Sequence, residues 1–287
     1  MQGKTCIITG ANAGLGYETA LNLASRGATV ILVCRAAEKA ELARQNIIDS
    51  TGNKGVHFEI ADLASQRQIR DLGARLQSKN KAIDVLINNA GLVRSQMSLT
   101  EDQIEMVFAV NHLAPFLLTR QLLPLLKNAP DARVVNVSSN NHFRARMNFK
   151  DLFHQKDYNG LKAYGQSKLA NLLFTYELSR RIKQANHPHI TINALDPGLN
   201  NTNIGSKNTN WMYRLVWNFR KKQGMEPWKG AQTYVHLAAS PELKGVSGTF
   251  WQRSKAVPSS DASYRKDDAK RLWELSLKMC KLDHYFA

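Results

Sequence analysis

Cysteine is scarce in this chain: Cys6, Cys34 and Cys280 are the whole supply, and they lie far apart. So few thiols cannot form a disulfide scaffold, and they point to a reducing, cytoplasmic setting. No His/Cys/Asp grouping has metal-ligand spacing, so no metal site is expected. No run of about 18 apolar residues occurs, which argues against a membrane-spanning helix. Met1-Gln2-Gly3-Lys4 leads almost directly into an apolar strand and a glycine turn, unlike a signal peptide. Acidic residues are also in short supply, 23 against 39 Lys and Arg, for a net charge of +16. Such an excess either attracts a polyanion or membrane surface or simply keeps the protein solvated. The basic residues are dispersed from Arg67 and Arg70 through Arg144, Arg180 and Lys221. With no dense basic stripe or nucleic-acid module, no nucleic-acid partner is expected.

What the chain does have is rhythm. Thr5–Thr9 is an apolar strand, and Gly14 opens a helix that Gly27 stops. Thr29–Cys34, TVILVC, is a continuous β-branched run suited to a strand buried on both faces. Further strands are predicted at Val56–Ile60, Asp84–Asn88, Arg133–Val137, His189–Leu195 and Gly248–Trp251. Helices lie between them, including a long one from about Thr100 to Lys127 and another around Tyr164. Alternation of this kind implies an α/β class: one doubly wound domain over 1–287, with a parallel sheet of about seven strands and helices on both faces. Two irregular insertions, near 140–162 and 199–227, follow strand carboxyl ends, where open α/β sheets bind ligands. A helical tail is expected over 264–287.

Gly10, Asn12, Ala13, Gly14, Leu15 and Gly16 form the turn between the first strand and first helix. Glycines there permit a tight turn and let backbone N–H groups approach a pyrophosphate. An acidic residue about 20 positions on would hold the ribose of NAD. Here 35 − 16 = 19 positions on stands Arg35, with no carboxylate before Glu38. An arginine offers donors to a 2′-phosphate, and Lys39 and Asn12 can add more, so NADP(H) is expected over NAD(H).

Tyr164 and Lys168 lie four apart, on one face of a helix. A nearby ammonium would pull the phenol down toward the range where acid–base catalysis is efficient. The spacing is common by chance, and the pair gains meaning from its surroundings. T-G-A-N-A-G-L-G from Thr9, Asp62-Leu63, N-N-A-G from Asn88, V-N-H from Val110, V-N-V-S-S from Val135, Y-G-Q-S-K from Tyr164 and D-P-G-L-N-N-T from Asp196 occur in this order. In these segments the chain resembles the short-chain dehydrogenase/reductase family, a Rossmann fold. V-C-R at Val33, S-K-L-A-N at Ser167 and R-L-W-E-L-S at Arg271 resemble its retinol-dehydrogenase-like branch.

The resemblance implies roles. Tyr164 would be the general acid/base, and Lys168 would tune it and hold the nicotinamide ribose. Ser139, with Ser138 as second choice, would bind the carbonyl oxygen, and Asn111 would help hold a water. Asp62 and Leu63 would contact adenine, and Asn89, Ala90 and Gly91 the ribose side. Pro197, Gly198 and Thr202 would orient the nicotinamide. Asp196 departs from the branch, which often has histidine before Pro-Gly.

The substrate should lie between the irregular segments, against Leu92, His142, Phe143, Met147, Trp211 and Leu215. His142 reads more readily as a loop residue than as a catalytic one. Apolar, aromatic walls suit a bulky lipophilic carbonyl or alcohol of retinoid, steroid or long-chain aldehyde type. The aromatic stretch followed by Arg220-Lys221-Lys222 reads as a lid, as helix packing, or as a peripheral membrane contact through 210–222. Relatives pair through helices matching 100–127 and 163–184, so a homodimer is one option. The reading is an NADP(H)-dependent oxidoreductase; the alternative is a catalytically silent NADP(H)-binding regulator on the same fold.

Overall fold

The β-branched runs form the strands that their burial requires. β1 (Thr5–Thr9) and β2 (Thr29–Cys34) are buried at all but their first residues. β3 (Val56–Ile60), β4 (Val85–Asn88), β5 (Ala132–Val137), β6 (Ile190–Asp196) and β7 (Phe250–Gln252) follow in parallel. The computed structural model describes residues 1–198 and 226–286. Among them the sheet has eight strands in the order β3-β2-β1-β4-β5-β6-β7-β8. The addition to the expected seven is β8 (Lys255–Ala256), a two-residue antiparallel edge too short to read from alternation. Strand order reverses between β1 and β4, which opens a crevice at their carboxyl ends.

Helices α1 (Gly14–Ser25), α2 (Ala37–Thr51) and α3 (Gln66–Lys79) follow the first three strands. The predicted helix from Thr100 is corrected at its start. Leu99 pairs with Glu105 in a β-bridge, and the buried Glu105 carboxylate accepts the Val107 and Phe108 N–H groups at 2.9 and 2.8 Å. Only then do α4 (Met106–Phe108), a π-helical turn (Ala109–Leu113) and α5 (Ala114–Lys127) run on. Side-chain capping by Glu105 outweighs the helical pattern upstream of it.

α6 (Gly160–Gln184) carries the Tyr164 segment, and Asn159 caps it by accepting from Leu161 and Lys162 N–H. α7 (Pro227–Ala239) packs against α1. The tail forms α8 (Lys266–Met279), which lies on α6. Trp273 of α8 and Tyr285 beyond it are buried against Phe116 of α5 and Phe174 of α6, with ring centroids 4.8 to 6.4 Å apart. The Arg181 guanidinium stacks 4.4 Å from the Trp273 ring. The chain's own tail thus packs on both of the helices named for a homodimer. Among the described residues no helix is long and apolar enough to cross a membrane.

Candidate active site and cofactor cleft

The glycine turn stands at the carboxyl end of β1, with φ of +67° at Gly10 and +59° at Gly14. A Cβ at Gly16 would come within 2.6 Å of the Gly10 carbonyl and of Asn89 Nδ2, so helix and turn close on each other only through glycine. Thr9 Oγ1 accepts the N–H groups of Asn89 and Ala90, both at 3.0 Å. Asn89 Nδ2 donates to the Thr9 carbonyl at 2.8 Å, and Tyr234 of α7 donates to Asn89 Oδ1 at 3.2 Å. These bonds stitch β1 to β4 across the crevice.

The crevice is a cleft of about 520 Å³ lined by Gly10, Asn12 to Gly16, Arg35, Asp62, Leu63 and Asn89 to Leu92. Helix α1 begins at its floor, where Ala13 offers no side-chain cap and the first turn holds no acidic residue. Its leading N–H groups and positive dipole end suit a pyrophosphate. α3 differs, its N-terminus being capped by Ser65. The residues present therefore fit a dinucleotide. Arg35 lies exposed at the end of β2 on the cleft wall, whereas Lys39, on the exposed face of α2, does not line it. Cys34, Val110 and Arg94 also line the cleft. The Cys34 sulfur accepts backbone N–H groups of Ala11 and Asn12, and burial pushes its thiol up to about 11. From sequence, Cys34, Val110 and Arg94 have no expected cofactor contact, because only the folded chain brings them to the cleft.

Beside the cleft, Tyr164, Lys168 and Ser139 come together with Asn111. Tyr164 is buried and packs with Leu92, Val93 and Val107, which places Leu92 next to the phenol. Ser139 lies close enough to that phenol to lower its pKa. Ser138 points away: its hydroxyl donates to the Lys168 carbonyl at 2.9 Å. Lys168 Nζ donates to the Val137 carbonyl at 2.9 Å and lies 5.5 Å from the Tyr164 ring centroid. Asn111 sits in the π-helical turn. Its amide accepts from Leu92 N–H at 2.8 Å, donates to the Leu92 carbonyl at 2.9 Å and donates to Ser167 Oγ at 3.0 Å. Gly91 leaves the space between: a Cβ there would lie 3.3 Å from Asn111 Oδ1 and 3.4 Å from Lys168 Nζ.

The electrostatics correct one expectation. Burial pushes the Tyr164 phenol up to about 12, opposed by Ser139 and reinforced by the negative charge of Asp196. Burial also pulls the Lys168 ammonium down to about 8, opposed by Asp196. The ammonium is held by the Val137 carbonyl, so in the protein alone desolvation of the phenol dominates.

The structure also places two residues expected to contact the substrate. His142 is fully buried: Ser260 N–H donates to its Nε2 at 3.1 Å, so Nδ1 carries the proton and donates to the Ser139 carbonyl at 2.7 Å. With both ring nitrogens engaged, it is a strut behind Ser139. Met147 packs against the main core beside Phe149. Phe143 is 52% exposed next to His142. Pro197 and Gly198 follow β6 directly, with Gly198 at φ +77°. Thr202, Trp211, Leu215 and the 210–222 segment lie outside the described residues.

A family model described as short chain dehydrogenase matches residues 4–212. The chain belongs to the short-chain dehydrogenase/reductase family. Within this family it falls in the retinol-dehydrogenase-like branch and is an oxidoreductase by membership. It is 40% identical over 290 residues to retinol dehydrogenase 13 of Homo sapiens, covering 98% of this chain and 86% of that protein. It is 41% identical over 293 residues to retinol dehydrogenase 14 of Mus musculus, covering 96% and 85% respectively. Among solved structures, an uncharacterized protein of Mycobacterium paratuberculosis is 33% identical with a TM-score of 0.78, covering 98% of this chain and 94% of that one. A candidate short chain dehydrogenase from Escherichia coli CFT073, solved with NADPH, shares the fold: TM-score 0.70, 24% identity, covering 89% of this chain and 98% of that one.

Proposed function

We propose that the protein transfers a hydride between NADP(H) and a bulky lipophilic carbonyl or alcohol of retinoid, steroid or long-chain aldehyde type. The observation that carries this reading is the buried Tyr164 phenol, with Ser139 near enough to lower its pKa and Lys168 beside it, at the edge of a cleft that fits a dinucleotide. A nicotinamide bound there would supply or take the hydride. The phenol, held above the neutral range, is protonated at pH 7 and ready to donate to the carbonyl oxygen. Ser139 holds that oxygen beside the phenol and stabilises the charge that develops on it. Lys168 steadies the ribose and the proton path. The Asn111 amide is engaged by Leu92 and Ser167, which fixes its side chain beside Gly91 and Lys168. Arg35 on the β2 end favours a 2′-phosphate over a bare ribose hydroxyl. The lipophilic substrate class draws on the retinol dehydrogenases to which the chain is similar.

NADPH oxidation with a panel of retinal, steroid ketones and long-chain aldehydes tests this reading. Tyr164→Phe is expected to lower kcat/KM by roughly 10²- to 10⁴-fold. Undiminished turnover in that variant would sink the mechanism.

A further inference from the structure

Asp196 is a charged residue in this neighbourhood that the proposed chemistry does not use. It ends β6, and β6 lies beside β5 in a register that pairs Leu195 with Val137. Ser138 N–H donates to the Leu195 carbonyl at 2.7 Å, and the Val137 carbonyl is the acceptor for Lys168 Nζ. Asp196 therefore comes one residue past the strand pair that seats the lysine. Its side chain is buried, with the residue only 5% exposed. The carboxylate accepts the backbone N–H groups of Asn140 and Gly198, and accepts Gln252 Nε2 of β7 at 3.3 Å. Gln252 Nε2 also donates to Asn140 Oδ1. One carboxylate thus joins the turn that follows Ser139, the turn that follows β6 and the neighbouring strand.

Burial raises the pKa of the Asp196 carboxyl, opposed by the Asn140 and Gly198 N–H groups and by the Lys168 ammonium, and its charge acts in turn on Tyr164 and Tyr234. A buried ammonium without a counter-charge is costly, and a carboxylate nearby restores its charged form. We propose that Asp196 is a positioning residue that supplies the counter-charge of Lys168 and locks the Ser139 turn against the Pro197–Gly198 turn. This deepens the reductase reading and rests on it for its catalytic consequence, but its electrostatic core does not. A negative charge here raises the proton affinity of both Lys168 and Tyr164. Its removal lowers both.

The direct test follows Lys168 by heteronuclear NMR in protein carrying ¹³C-labelled lysine, with the resonance assigned through Lys168→Met. In the wild type Lys168 is expected to titrate near 8. In Asp196→Asn the midpoint should fall by about one unit or more, and Asp196→Glu should restore most of the loss. Should the asparagine variant fail to fold, Asp196→Ala is titrated in its place. Where carbonyl reduction is measurable, the basic limb of kcat/KM should shift to lower pH by a comparable amount, because Tyr164 loses its proton earlier. A purely structural role would lower kcat/KM at every pH without moving the limb. An unchanged Lys168 midpoint in both neutral variants overturns the proposal. Absence of turnover in the wild type would instead count against the reductase reading, and the lysine titration would still decide this one.

Discussion

Two adjacent serines follow β5, and the structure gives them different tasks that substitution can separate. Ser139 lies near enough to the Tyr164 phenol to lower its pKa, whereas Ser138 donates to the Lys168 carbonyl inside α6. Ser139→Ala removes a donor aimed at the reacting oxygen, a loss of about 10²- to 10³-fold in kcat by analogy with oxyanion donors. It also deletes a cap, but a long one, since Asn141 N–H reaches Ser139 Oγ at 3.3 Å. Cap losses of about 1 kcal/mol correspond to about 2–4 °C in Tm for a domain somewhat smaller than this chain. Ser138→Ala loses one buried hydrogen bond of about 0.5–1.5 kcal/mol, with a similar fall in Tm, while kcat stays within a few-fold of wild type. Steady-state NADPH oxidation and differential scanning fluorimetry on both variants measure the two axes. A Ser138→Ala variant that loses turnover while Ser139→Ala keeps it would refute the assignment.

Arg35→Asp should weaken NADPH binding by roughly 10- to 100-fold, from loss of a charge-assisted bond, and narrow or reverse the preference over NADH, read by fluorescence titration. Gly16→Ala places a Cβ 2.6 Å from the Gly10 carbonyl and should sharply lower dinucleotide affinity, measurable by calorimetry. His112 sits fully buried among Phe108, Phe116 and Phe174, and burial lowers its pKa from 6.5 to about 3. Between pH 6.5 and 3 the unfolded chain binds a proton that the folded chain refuses, so stability falls as pH drops through that window. Tm against pH should slope less steeply there in His112→Gln than in the wild type.

The strands were readable because buried parallel strands need continuous β-branched runs, and TVILVC satisfies little else. The glycine turn and Arg35 were readable because both do their work close to the backbone, at fixed distances along the chain. His142 was not. A histidine in a polar loop looks available, and only the return of Ser260 from 118 residues away shows that its nitrogens are taken. The direction of the Tyr164 shift was not legible either, for a related reason. Spacing shows that Lys168 shares its helix face, but burial of the phenol is a property of the packed site. The short β8 edge and the Glu105 cap likewise depend on tertiary contacts that no local pattern carries.

The placement of α8 has a consequence for the order in which the chain becomes safe from misassociation. Phe116 and Phe174 emerge from the ribosome well before Trp273 and Tyr285, which cover them. Tyr285 lies 285 − 174 = 111 residues beyond Phe174. At a synthesis rate of about 5–20 residues per second, the aromatic seam of α5 and α6 stays open for roughly 6–22 s. During that interval Phe116 and Phe174 lack the rings that cover them in the folded chain. The arrival of Tyr285 is what closes the seam.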